Sequence, residues 1–172
     1  LGFGVMEQST AEVLITKALE YANGNNVSFA FQGGEPTIAG LEFFKHFTKT
    51  VKEKNVKNST VFYGIQTNGT LIDEEWARFF SENNFLVGLS LDGDYDGNKF
   101  RKKPSGDNLF YKILTTAELL KRNNVEFNIL TVLTGFCADN GEKVYKFFRS
   151  KGFKYIQFIP CLKPFGSKEE SE

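Results

Sequence analysis

Histidine occurs once in these 172 residues and cysteine twice, a scarcity that removes several chemistries at the outset. No Ser-His-Asp or Cys-His set can be assembled around His46 alone. It sits among Phe43, Phe44 and Phe47 in a helical stretch and reads as surface cover, not as a metal ligand. Cys137 and Cys161 form neither a C-x-x-C pair nor a zinc spacing, and read as free thiols in a reducing cytoplasm. An excess of one charge is also missing: 21 basic and 21 acidic residues give a formal net charge of +0. No electrostatic footprint for nucleic acid or an anionic membrane is present. Apolar runs are no longer than a strand, so none spans a bilayer, and no charged-then-apolar leader marks export. The N-x-S/T triplets at Asn26, Asn58 and Asn68 are then chance matches. There is no phosphate-loop motif, no internal repeat and no low-complexity linker. Gly2-Phe3-Gly4 lacks the third glycine and the preceding strand of a dinucleotide fingerprint.

What the chain has in quantity is phenylalanine, 19 residues, which suits strands buried on both faces. Apolar spacing predicts helices over 7–22, 41–53, 73–82, 109–122 and 142–151, with Asp73 as an N-cap. Between them, short apolar runs predict strands over 27–31, 60–66, 85–91, 125–133 and 155–159. About five strands alternating with helices through short connections define an α/β fold with a parallel sheet built from right-handed crossovers. That leaves an open doubly wound sheet or an arc of a (βα) barrel. Residues 1–165 read as one domain and 166–172 as a polar, frayed tail.

Parallel α/β folds place their chemistry at the carboxyl ends of the strands. Those ends read Gln32-Gly33-Gly34-Glu35-Pro36, Gln66-Thr67-Asn68-Gly69-Thr70, Ser90-Leu91-Asp92-Gly93, Thr131 to Thr134, and Pro160-Cys161-Leu162. The opposite connections, such as Asn23-Gly24-Asn25-Asn26, are plain solvated turns, so the site belongs to one face. The first exit is the most informative. Two glycines there present bare backbone to a ligand, or simply make a tight turn. Glu35 adds a charge or acceptor, and Pro36 fixes the exit. Asp92-Gly93-Asp94-Tyr95-Asp96-Gly97 imitates the start of a calcium loop. Position 12 is Lys103 where a bidentate glutamate is needed, and the segment follows a strand instead of a helix.

Taken together, these exits resemble the radical S-adenosylmethionine (SAM) enzymes, and among them the anaerobic sulfatase-maturating enzymes. The resemblance runs over nearly the whole chain. It rests on Phe29-Ala30-Phe31-Gln32-Gly33-Gly34-Glu35-Pro36-Thr37, on Gln66-Thr67-Asn68-Gly69-Thr70-Leu71-Ile72-Asp73, and on Val87-Gly88-Leu89-Ser90-Leu91-Asp92-Gly93. Val125-Glu126-Phe127-Asn128-Ile129-Leu130 and Gln157-Phe158-Ile159 continue it. It implies a TIM-like (βα)6 partial barrel of radical SAM type. Gly33, Gly34, Glu35 and Pro36 would bind S-adenosylmethionine, with the Gly34 backbone at its amino group. Ser90 would meet its ribose or carboxylate region, Arg101 its carboxylate, and Leu162 its adenine. Gln32 would touch substrate. On the residues alone, the alternative for Arg101 is a solvated member of Arg101-Lys102-Lys103, and for Leu162 an ordinary strand-end contact.

The chain departs from that family in one respect. The C-x3-C-x2-C loop whose thiolates hold a [4Fe–4S] cluster is absent, as are the cysteine-rich C-terminal region and an acidic base. The expectation is an excised piece, from the first helix to the sixth strand, with no catalytic residue and no metal ligand of its own. In a complete parent protein the resemblance implies S-adenosylmethionine and a [4Fe–4S] cluster as cofactors. The reaction would be oxidation of a sulfatase cysteine or serine to formylglycine, with electrons from a reductant such as flavodoxin or ferredoxin. A maturase of another peptide, of the thioether-forming type, and a non-catalytic (βα) binding module stay open beside it. Lacking its first strand, such a sheet would expose an edge and invite pairing between copies.

Overall fold

The computed structural model describes residues 4–162, so the expected boundary at 165/166 lies outside the described residues. Five strands form one parallel sheet in the order β1 (Val27–Phe31), β2 (Val61–Thr67), β3 (Phe85–Ser90), β4 (Phe127–Leu133) and β5 (Ile156–Pro160). Strand order equals sequence order, the arrangement of a barrel arc and not of a doubly wound sheet, and the sheet curls into a half-barrel. Helix α1 (Gln8–Ala22) precedes β1, and α2 (Leu41–Lys54), α3 (Glu74–Glu82), α4 (Phe110–Arg122) and α6 (Gly141–Ser150) supply the four crossovers, each of the five within two residues of its expected bounds. Asp73 caps α3 as expected, its carboxylate accepting from the N–H groups of Glu75 and Trp76 at 3.0 Å each. Three short elements escaped the sequence reading: 3-10 turns at Pro36–Ala39 and Gly97–Phe100, and the five-residue helix α5 (Gly135–Asp139).

The packed aromatic side chains of the strands cover one face of the sheet, not two. Phe29 and Phe31 meet Phe47 edge-on at 5.1 and 5.0 Å, Tyr63 stacks on Phe85 at 5.0 Å, and Phe85 packs on Phe79 and Phe80. These contacts join the convex face to α2 and α3, where aromatic pairs add packing beyond the area they bury. Among the described residues no helix covers the concave face, so Phe62 and Leu86, both facing inward by strand alternation, stay 52 % exposed. Burial on both faces is therefore corrected to burial on the convex face. Among the described residues β1 and β5 are the sheet edges, and no helix is long and apolar enough to cross a membrane.

Candidate functional site at the carboxyl ends of the strands

Gln32 leaves β1 exposed, and Gly33 and Gly34 follow with φ of +87° and +51°. A side chain is strained in that region, yet a Cβ at either position would meet nothing within 4 Å. The glycines are thus needed for backbone shape while the space beside them stays open. That space is a cleft of about 750 Å³ along the free edge of β1, bounded by Met6, Leu14, Phe43 and Gln32 to Pro36.

Glu35 holds this loop to the next one. Its Oε1 accepts from Thr37 N–H (3.1 Å), Thr37 Oγ1 (2.6 Å) and Thr67 Oγ1 (2.7 Å), and its Oε2 accepts from Asn68 N–H (2.7 Å). Three of these bonds load Oε1 and one falls on Oε2, so most of the carboxylate's roughly four acceptor sites are taken by the chain itself. Glu35 therefore fixes the β1 exit against the β2 exit. The chain is tightened further by Gly69 N–H donating to Thr67 Oγ1 (3.0 Å) and by Thr116 Oγ1 donating to the Gly69 carbonyl (2.9 Å). Thr67, Asn68 and Thr116 were not singled out from sequence. The signal for the first two was their place in the Gln66–Thr70 strand exit, whereas Thr116 on α4 gave none.

Ser90 ends β3 on the concave face, opposite Leu130 of β4. Arg101 lies after the 3-10 turn and forms an ion pair with buried Asp92: Nη2 donates to Oδ1 at 2.8 Å, and Nε lies 2.7 Å from Oδ2. The Nε distance marks an ion pair and not a hydrogen bond, because its N–H is not aligned with that oxygen and Nε has no other partner. Leu162, two residues beyond β5, is 81 % exposed. The expected residues thus fall into two groups at one end of the sheet. Gln32 to Pro36 share the cleft, while Ser90, Arg101 and Leu162 stand along the rim of β3 and β5, outside it. The register adds residues that sequence reasoning missed. Gln66 and Asn128 flank Gly88, and Gln157 faces Leu130, so the concave face carries uncharged amides. Within the described residues none of these three side chains makes a hydrogen bond.

The aspartates of the calcium-like segment are already paired. Asp94 and Asp96 both reach Lys143 Nζ, at 2.8 and 3.4 Å, and Asp92 holds Arg101. Burial pushes the Asp94 carboxyl up, but the Lys143 bond and the N–H groups of Gly97 and Asp96 outweigh it and hold it below the ordinary carboxylate value. Among the described residues no three His, Cys, Asp or Glu side chains gather where a metal could sit. Cys137 is buried and donates to the Asp92 carbonyl at 3.2 Å, whereas Cys161 is exposed, so the two do not form a cluster site. The residues present suit an amino acid–like, zwitterionic ligand: bare backbone at Gly33 and Gly34, and a guanidinium on the rim. They do not suit an iron–sulfur cluster.

The family model of the Radical SAM superfamily matches residues 2–149, and the chain belongs to that superfamily. It is 46 % identical over 170 residues to the cysteine-type anaerobic sulfatase-maturating enzyme of Clostridium novyi, covering 98 % of this chain and 45 % of that protein. Against the serine-type anaerobic sulfatase-maturating enzyme of Bacteroides thetaiotaomicron, identity is 34 % over 167 residues, covering 96 % of this chain and 40 % of that one. Among solved structures, native anSMEcpe with bound AdoMet and Kp18Cys peptide superposes with a TM-score of 0.94 at 48 % identity, over 97 % of this chain and 46 % of that one. The chain therefore spans somewhat less than half the length of these relatives.

Proposed function

We propose that this chain forms the S-adenosylmethionine-binding part of a cysteine-type anaerobic sulfatase-maturating enzyme. The observation that carries the reading is the exposed, positive-φ Gly33-Gly34 backbone opening on an unfilled cleft at the carboxyl end of β1. In it, Gly34 offers its backbone to the ammonium group of S-adenosylmethionine, with Gly33, Glu35 and Pro36 shaping the loop. Arg101 takes the carboxylate, since a planar fork matches carboxylate geometry better than a lysine would. Ser90 meets the ribose or carboxylate region and Leu162 the adenine. Gln32 touches the substrate. The uncharged amides of Gln66, Asn128 and Gln157 favour a peptide main chain along the concave face, because each offers a donor and an acceptor without charge.

In the complete protein a [4Fe–4S] cluster supplies the one-electron chemistry, and its ligands lie outside this chain's residues. What these residues contribute is binding and orientation. Electrons come from a low-potential donor of the flavodoxin or ferredoxin kind. Cysteine is preferred over serine in this reading because similarity to the cysteine-type relative is greater, 46 % against 34 %.

The test is 5′-deoxyadenosine production by the complete protein under anaerobic, reducing conditions, with and without a Cys-x-Pro-x-Arg peptide. Stimulation by peptide supports a maturase of sulfatases. Production indifferent to this peptide moves the substrate elsewhere, toward the thioether-forming type. No production from protein with a verified cluster favours a non-catalytic binding module.

A further inference from the structure

Asp92 stands two residues beyond the end of β3 and is only 4 % exposed, so its charge is kept from water and must be compensated by protein. It is held on every side. Its N–H donates to Asn98 Oδ1 at 3.2 Å, and its carbonyl accepts from the Cys137 thiol at 3.2 Å. Its Oδ1 accepts from Val132 N–H of β4 at 2.8 Å. The main chain of Asp92 is thus tied to the 97–101 segment and to α5, and its carboxylate to β4, so the group cannot swing without giving up its bond to Val132.

Arg101 docks on that fixed group. Nη2 donates to Oδ1 at 2.8 Å and Nε sits 2.7 Å from Oδ2, which takes up one side of the guanidinium. The Arg101 main chain is also pinned, its N–H donating to the Asn98 carbonyl at 3.0 Å and its carbonyl accepting from Leu109 N–H at 2.9 Å. Nη1 makes no hydrogen bond within the described residues, and the side chain keeps 22 % exposure. A guanidinium is planar, so anchoring the Nε–Nη2 side dictates where the opposite Nη1 edge points.

We propose that Asp92 is a positioning residue: it aims the free edge of Arg101 so that this arginine reads the carboxylate of S-adenosylmethionine. The claim rests on the proposed reading of Arg101 and adds the group that directs it. Asp92 does not touch the ligand. It fixes the direction of a long side chain that would otherwise lose rotamer freedom on binding. A plain strut between β3, β4 and the 97–101 segment would tolerate any ligand chemistry equally, and that separates the two roles.

The experiment is calorimetric titration of the anaerobically purified complete protein with S-adenosylmethionine and with its decarboxylated analogue. Wild type is expected to prefer S-adenosylmethionine by about tenfold or more, the scale of a charge-assisted pair. Asp92→Asn keeps the shape but turns an NH2 group toward donors. It is expected to bring the two affinities within about twofold of each other, by weakening S-adenosylmethionine alone. Equal weakening of both ligands, or an intact preference, overturns the positioning role. Should Asp92→Asn not fold, Asp92→Glu decides on the same criterion, since it keeps the charge but moves the docking point. A wild type without preference overturns the role by removing carboxylate recognition at Arg101. A wild type that binds neither ligand refutes the cofactor reading of the whole rim.

Discussion

At Glu35 a residue that reads in sequence as a ligand group turns out to be occupied by its own chain. Four donors from Thr37, Thr67 and Asn68 converge on it, at 2.6 to 3.1 Å. Glu35→Gln replaces one acceptor oxygen by a donor that must face donors. The expected cost is about 1–2 kcal/mol, because a partly buried donor is left unpaired. Thermal unfolding should therefore drop by several degrees, at roughly 2–4 °C per kcal/mol for a chain of this size. Tyr63 gives a second test at this scale. Burial pushes its hydroxyl up to about 12, against an ordinary value near 10. A group with a raised folded value stabilises fully below its unfolded value and loses that contribution as pH climbs through the folded one. Stability should thus fall between about pH 10 and 12, by on the order of 2–3 kcal/mol from this residue. By pH 11, midway through that window, about half of the loss has developed, so Tyr63→Phe should remove roughly 1 kcal/mol of it, measured as the wild-type minus variant difference in unfolding free energy at pH 8 and pH 11.

At the scale of elements, glycines at two strand exits look alike in sequence and differ in role. At Gly69 (φ +74°) a Cβ would come within 2.6 Å of Leu89 Cδ1 and 3.2 Å of Thr116 Cγ2. At Gly33 (φ +87°) it would meet no protein atom within 4 Å. Gly69→Ala should lose roughly 1–3 kcal/mol of stability through strain and overpacking together. Gly33→Ala should lose only about 1 kcal/mol, but should weaken S-adenosylmethionine binding, because its methyl group projects into the cleft. Unfolding and titration on the same two variants check both halves. The five strands, α1 and the four crossover helices were legible because apolar runs and periodic stripes are local signals. Helix α5 was not: five residues are too few for a period, and its one cue is Thr134, whose Oγ1 accepts from Cys137 N–H at 3.4 Å. Burial on both sheet faces was misread because composition counts phenylalanines without saying on which face they stand.

For the whole molecule, the half-barrel explains why the site was legible in outline only. Strand exits named Gln32, Ser90 and the glycines correctly as residues at one end of the sheet. The separation of the β1 cleft from the Ser90–Arg101 rim, and the Asp92–Arg101 pair, depend on curvature and on contacts across segments that no spacing encodes. The same shape leaves β1 and β5 as edges among the described residues, with unpaired backbone groups along them. The isolated 172-residue chain is expected to self-associate with concentration in sedimentation velocity; a monomer throughout the range contradicts that. The most direct test of the central claim is mass spectrometry of Cys-x-Pro-x-Arg and Ser-x-Pro-x-Arg peptides after incubation with the complete, reduced protein and S-adenosylmethionine. The account predicts formylglycine at the cysteine and little at the serine. An unchanged cysteine peptide, in protein whose cluster is verified and which consumes S-adenosylmethionine, would contradict it.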